Sequence, residues 1–254
     1  MSQQIILILY FFVIGACVGS FLNVVIHRLP KGESLVRPGS RCPACKTPIK
    51  AYHNIPIMSY IFLRGRCASC GGKFSARYPL VELTTGLVIA ACYVKFGFTA
   101  TALLYMAFAS SLVAIAFIDI DHMIIPDVIT LPGIVIGLLA AAFVLPVGIK
   151  FSFLGLLVGG GLFLLLAIIV PGGMGGGDIK LMGMVGAFLG LKAVLITIFA
   201  GSLVGSIVGV IGIVACGKGR KTKIPFGPYL VLGALMALFY ESELIDFYLR
   251  TFVY

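Results

Sequence analysis

Charged side chains are scarce in this chain: 11% of its 254 residues are Asp, Glu, Lys or Arg, and only nine are acids. With 60% hydrophobic residues and a mean hydropathy of +1.13, that scarcity excludes a soluble globular domain. Other absences narrow the field further. Only Ser2, Gln3 and Gln4 separate Met1 from the first apolar run, so the basic start of a secretory signal is missing and the run is expected to stay as a helix. No G-x-x-x-x-G-K-[ST] pattern occurs, which removes a P-loop. No second histidine stands at ligand spacing from His122, which therefore reads as a solvated loop residue.

What the chain has in quantity is apolar runs, at about 5–26, 81–94, 100–118, 128–147, 151–170, 179–191, 193–215 and 225–249. A bilayer crossing takes about 20 residues, and 179–215 is too long for one. Charge decides how to divide it. Ten of the 19 basic residues lie between Arg28 and Arg77, with Glu33 as the only acid among them, so this polar loop is expected on the cytoplasmic side. One span at 179–215 would then place Lys218, Arg220, Lys221 and Lys223 outside; two spans turning near 190–192 keep them inside. Two spans give an all-α polytopic membrane protein of about eight transmembrane helices, with both termini outward. The net charge of +10 is used up by topology, so lipids are expected partners and nucleic acid is not. GxxxG patterns at 15–19, 155–159 and 201–205 suit close helix packing in lipid.

The basic loop holds Cys42, Cys45, Cys67 and Cys70 as CPAC and CASC, twenty-one residues apart. Each C-x-x-C turn points two sulfurs at one ion, and two such turns complete a tetrahedral thiolate site. A reducing cytoplasm favours zinc over disulfides. Four thiolates leave no open position, so the metal is expected to be structural. The predicted organisation is a first transmembrane helix at 1–26, a cytoplasmic zinc-binding loop domain at 27–80 and a membrane core at 81–254. Cys17, Cys92 and Cys216 sit in apolar runs and read as packing residues.

Four of the nine acids, Asp119, Asp121, Asp127 and Asp178, fall at the ends of predicted spans. Carboxylates there are costly and mark functional sites. Two brought together in a low dielectric share a proton, the arrangement of an aspartyl protease. Asp178 follows the glycine-rich PGGMGGG, read either as an open approach for an extended substrate or as a plain turn. IDIDHMIIPD offers three candidates that spacing does not rank, though Asp127 after Pro126 reads as a helix N-cap. A proton- or ion-coupled transporter is the alternative from another class. It calls for acids at the bilayer midplane and an inverted repeat, and no such repeat is evident.

Taken together, GSFLNVVIHRLP at 19–30, the two cysteine pairs, RYPLVEL at 77–83, FIDIDHMIIPD at 117–127, GGGDIKL at 175–181 and PFGPYL at 225–230 resemble the type IV prepilin peptidases. These are bacterial inner-membrane aspartic peptidases of the GxGD class, and the resemblance runs nearly end to end. It implies that Asp119 and Asp178 are the catalytic pair. It also implies removal of a basic leader from prepilins and pseudopilins at the cytoplasmic face, followed by N-methylation with S-adenosylmethionine. Members with four loop cysteines typically perform both steps, whereas a peptidase without methyl transfer is the lesser alternative. No nucleotide-binding strand and glycine motif marks the methyl-donor site.

Overall fold

A computed structural model of the chain describes residues 2–170, 174–216 and 225–252. Among these residues the structure is helical, with two isolated bridges in the cysteine loop and no strand. The chain forms two compact units, 1–118 and 119–254.

In the first unit, α1 (Ser2–Arg28) packs on α3 (Arg77–Phe96). The first GxxxG lies at this contact. A Cβ on Gly15 would come 2.8 Å from Gly86 Cα, and one on Gly19 would come 2.7 Å from Glu82 Cα. Between the two helices runs the polar loop, which carries the short α2 (Met58–Phe62). α3 stops at Gly97, whose N–H donates to Tyr93 O at 2.8 Å. Thr99 then opens α4 (Ala100–His122), its Oγ1 accepting the Ala102 N–H at 3.0 Å. Cys92 is buried in α3 as expected of a packing residue, but Cys17 is exposed on α1 and packs against no core. Its place in an apolar run did not distinguish the lipid-facing side from the packed one, because both are apolar in a membrane helix. The side chain of Cys216 lies outside the described residues.

The second unit contains α5 (Asp127–Phe143), α6 (Gly148–Ile169), α7 (Gly176–Cys216) and α8 (Gly227–Phe252). α7 lies at its centre, packed by α5, α6 and α8. Both other GxxxG motifs lie at these contacts: Gly155 and Gly159 face α7, and Gly201 and Gly205 face Tyr229 of α8. The α6–α7 approach is the tightest, since a Cβ on Gly155 would meet Gly190 C at 2.6 Å and Gly186 O at 2.7 Å. The Ser152 hydroxyl beside it donates to Ala187 O.

Each of the eight apolar runs falls mainly on helix, although residues 144–147 of the fourth form the turn between α5 and α6, and α7 takes up two of the runs. By length and composition five helices can cross a membrane: α1, α3, α4, α6 and residues Gly176–Gly212 of α7. α5 is apolar but shorter, and α8 carries Glu241, Glu243 and Asp246 towards its end. α7 leaves helical geometry at one residue, Gly190, with φ 81° and ψ −175°, where the charge argument placed a turn. Only glycine takes that backbone freely. The basic run at 218–223, expected to anchor topology, lies outside the described residues.

The α6–α7 contact predicts a contrast between two glycines of α6. Gly155→Ala forces backbone apart and should cost about 1–3 kcal/mol. Gly161→Ala, with nothing within 4 Å of its Cβ, should be neutral or stabilise by up to about 1 kcal/mol. Thermal melting of the purified protein in detergent checks both; equal melting of the two variants would contradict the packing described.

Candidate functional site

Asp119 lies in the last turn of α4 and Asp178 in the first turn of α7. Asp119 is 6% exposed. Its Oδ2 accepts the N–H of Gly227, the first residue of α8, at 2.9 Å. The first N–H groups of a helix have no intrahelical partner and sit at the positive end of its dipole, so a carboxylate is well placed there. Asp178 is half-buried, and its Oδ2 accepts the Gly175 N–H at 3.2 Å. The two carboxylates are close enough for the charge of Asp119 to act on Asp178.

Ile125 connects them. A Cβ on Gly227 would lie 2.7 Å from Asp119 Oδ2 and 3.3 Å from Ile125 Cδ1, and one on Gly177 would lie 2.7 Å from Ile125 Cβ. Ile125 is thus wedged between the backbone that holds Asp119 and the backbone that precedes Asp178. The GxGD pattern has a steric cause in the same geometry. A Cβ on Gly175 would crowd Asp178 Oδ2 at 3.0 Å and one on Gly177 would strike Ile125, while Gly176 has open space.

The other acids of the first run are arranged differently. Asp121 and His122 are exposed, as expected, but they form the end of α4 rather than part of a loop. Asp127 is not an N-cap: Pro126 holds that position, and no side chain caps the helix. The Asp127 carboxylate instead receives Lys180 Nζ, at 2.7 Å from each oxygen. An ion pair of this kind is a stronger partner for a carboxylate than a backbone N–H. Lys180 and Gly227 were both missed by reasoning from sequence. The signals were a lysine two residues after Asp178 and a glycine set between Phe226 and Pro228, but neither says which distant carboxylate it meets.

The four loop cysteines come together in the first unit, their sulfurs all within 4.8 Å of one another. The two turns are copies. Cys42 N–H donates to Thr47 O and Lys46 N–H to Cys42 O; likewise Cys67 N–H donates to Gly72 O and Gly71 N–H to Cys67 O. Lys46 and Gly71 both have positive φ, 60° and 71°. Cys42 and Cys70 sulfurs are 3.8 Å apart, and a zinc–sulfur length of about 2.3 Å gives a tetrahedron edge of about 3.8 Å. The cluster could therefore hold zinc. The Thr47 hydroxyl and backbone N–H pull the Cys45 thiol down to about 6, and the backbone N–H groups of Cys70 and Ser69 lower Cys67. At Cys70 the Gly72 N–H favours thiolate, but the neighbouring sulfurs, Cys45 foremost, outweigh it and push the thiol up to about 11.

Two family models together cover most of the chain. Residues 13–96 match the Bacterial Peptidase A24 N-terminal domain, and residues 106–210 match the Type IV leader peptidase family. The chain is 36% identical over 277 aligned positions to a prepilin leader peptidase/N-methyltransferase of Pseudomonas aeruginosa, covering 98% of this chain and 96% of that protein. A protein of the same name from Aeromonas salmonicida is 38% identical, covering 96% and 95%. One from Myxococcus xanthus is 42% identical over 84% of this chain and 66% of its own length. No solved structure matches significantly. With such identity sustained from end to end, the chain belongs to the type IV leader peptidase family.

Proposed function

We propose that this multi-pass membrane protein removes the basic leader of type IV prepilins and pseudopilins and then N-methylates the new amino terminus. The carrying observation is the pair Asp119 and Asp178, each taking a backbone N–H from a glycine beside a helix start. A hydrogen bond to a charged group contributes about 1.5–3 kcal/mol, less than the several kcal/mol that burying each ion costs. Two neighbouring carboxylates with one such donor apiece therefore hold a proton between them and titrate as a unit.

That shared proton supplies the chemistry. The ionised carboxylate takes a proton from water as its oxygen attacks the scissile carbonyl, and the protonated one hydrogen-bonds the carbonyl oxygen. The tetrahedral intermediate then collapses with a proton passing to the leaving amine. A helical peptide bond is shielded by its own hydrogen bonds, so the substrate must be extended at the cut. Gly175, Gly176 and Gly177 before Asp178 present backbone without side chains for that approach. A prepilin leaves its basic leader in the cytoplasm, so we place the aspartates and the basic cysteine loop at the cytoplasmic face of the bacterial inner membrane.

Cys42, Cys45, Cys67 and Cys70 would hold one zinc ion. It would clamp a loop too small to form its own core, and with four thiolates it has no open position for catalysis. S-adenosylmethionine is the methyl donor for the second step.

Asp119→Asn and Asp178→Asn should each lower leader cleavage of a purified prepilin by at least about 10²–10⁴-fold while melting near the wild-type temperature; cleavage at the normal rate by either variant removes the assignment. Gly177→Ala should impair cleavage by driving Ile125 against the site, Ile125→Ala should restore part of it in the double variant, and Gly176→Ala should be tolerated. Metal analysis should find one zinc per chain, lost in Cys42→Ser. Because metal must displace the Cys70 proton, zinc uptake near pH 7 should release protons, and affinity should rise with pH. Calorimetry in buffers of different ionisation enthalpy measures the proton count; uptake without release contradicts thiolate ligation.

A further inference from the structure

The cysteine loop holds a stretch that does not suit a loop in water. Residues 51–63, AYHNIPIMSYIFL, contain no Asp, Glu, Lys or Arg, although Lys46 and Lys50 precede them and Arg64 and Arg66 follow. The short α2 lies inside this stretch, and its Met58, Ile61 and Phe62 share one face at i, i+3 and i+4. They are 49%, 61% and 76% exposed, and Tyr52 and Ile55 are exposed as well. The other side of α2 turns inward: the Tyr60 ring packs on Gly65, where a Cβ would come within 2.8 Å of it.

The position of the stretch says what covers its exposed face. The Ile57 N–H donates to Glu82 Oε2 at 2.7 Å. Glu82, only 8% exposed, belongs to the second turn of α3, and its Cα lies against Gly19 of α1. Asn54 and Pro56 line a cavity of about 420 Å³ together with Cys17 and Phe21 of α1. From Phe21 or Cys17 to the end of α1 at Arg28 is seven or eleven residues, about 10–16 Å at a rise of about 1.5 Å per residue. Both α1 and α3 are long and apolar enough to cross a membrane. The stretch therefore stands beside their apolar flanks rather than beyond their ends.

Its backbone is also prepared for lipid, which offers no hydrogen-bond partner. From His53 to Ser59 every N–H has an acceptor inside the protein. His53 and Asn54 donate to Lys50 O and Ala51 O, Ile55 to Ser59 Oγ, Ile57 to Glu82, Met58 to Pro56 O and Ser59 to Ile55 O, while Pro56 has no N–H. The Met58 bond closes a turn over Ile57 at φ 62° and ψ −51°, a strained backbone for a β-branched residue. The bond to Glu82 holds that turn against the helix pair.

We infer that residues 52–62 are an interfacial membrane anchor, with Tyr52, Ile55, Met58, Ile61 and Phe62 entering the leaflet from which the cysteine loop emerges. An amphipathic segment of this kind sits about 5–10 Å into the boundary between headgroups and acyl chains. Lys50 and Arg64, both exposed at its ends, meet lipid phosphates there. The loop is thus fixed to the leaflet at a third point besides α1 and α3. The inference concerns the membrane alone and rests on neither proposed reaction.

The test uses the full-length protein in lipid nanodiscs. The chain has no tryptophan, so Phe62→Trp reports a single site. Val13→Trp, at a position 58% exposed on α1, is the reference for acyl chains, and N-acetyltryptophanamide is the reference for water. Lipids brominated on the acyl chain should quench Phe62→Trp by at least about twofold, and acrylamide should reach it several times less than it reaches the free amide. Melting temperature reports whether the variant is folded. If it is not, the wild-type protein decides, since a lipid with a diazirine in its acyl chain should label residues 52–62 as well as α1. Acrylamide quenching equal to that of the free amide with no effect of bromine, or label on α1 and none between residues 51 and 63, overturns the inference.

Discussion

The hydrogen bond from the Gly227 N–H to Asp119 ties together the parts of the second unit that matter most. It joins the end of α4 to the start of α8 across 108 positions of sequence. It depends on residue 227 having no side chain, since a Cβ would press on the carboxylate oxygen at 2.7 Å. Ile125, in contact with the same glycine, carries the constraint onward to Gly177 and the first turn of α7. The Lys180–Asp127 pair fastens the start of α5 to that same turn. The positions of the two aspartates are thereby tied to packed helix ends, as the proposed cleavage, which needs both groups at once, would demand.

Glycine serves two purposes in this chain. Along α1, α6 and α7 it lets helices approach where no hydrophobic force separates protein from lipid. Around the aspartates it keeps Cβ atoms away from carboxylates and from Ile125. The two uses are indistinguishable by composition and differ only in what the missing Cβ would meet. Charge is divided in a parallel way. Just over half of the basic residues are in the polar loop, whereas three carboxylates withdrawn from solvent, Asp119, Asp178 and Glu82, each accept a backbone N–H. An ion removed from water needs such a donor.

Much of this was legible beforehand. The apolar runs became helices because a membrane leaves the backbone no other open arrangement. The break at Gly190 falls where the charge argument placed a turn, although by length and composition residues Gly176–Gly212 count as one membrane-crossing helix rather than the two expected. The C-x-x-C pairs met because each is a local turn that fixes two sulfurs without help from the rest of the chain. The role of Asp127 was misread, since a capping preference is a local average and an ammonium arriving from 53 positions away overrides it.

The amino-acid sequence by itself determined what depends on local pattern: an all-helical membrane protein, a loop that can gather four thiolates, and a small set of carboxylates near helix ends. Tertiary structure alone decided which groups those carboxylates meet. Gly227 with Asp119, Lys180 with Asp127 and Ile57 with Glu82 are contacts between segments distant in the chain, and no periodicity or spacing encodes them. The reason is that hydrophobic periodicity reports only whether a face is apolar, while a partner is fixed by where packed helices bring backbone donors in three dimensions.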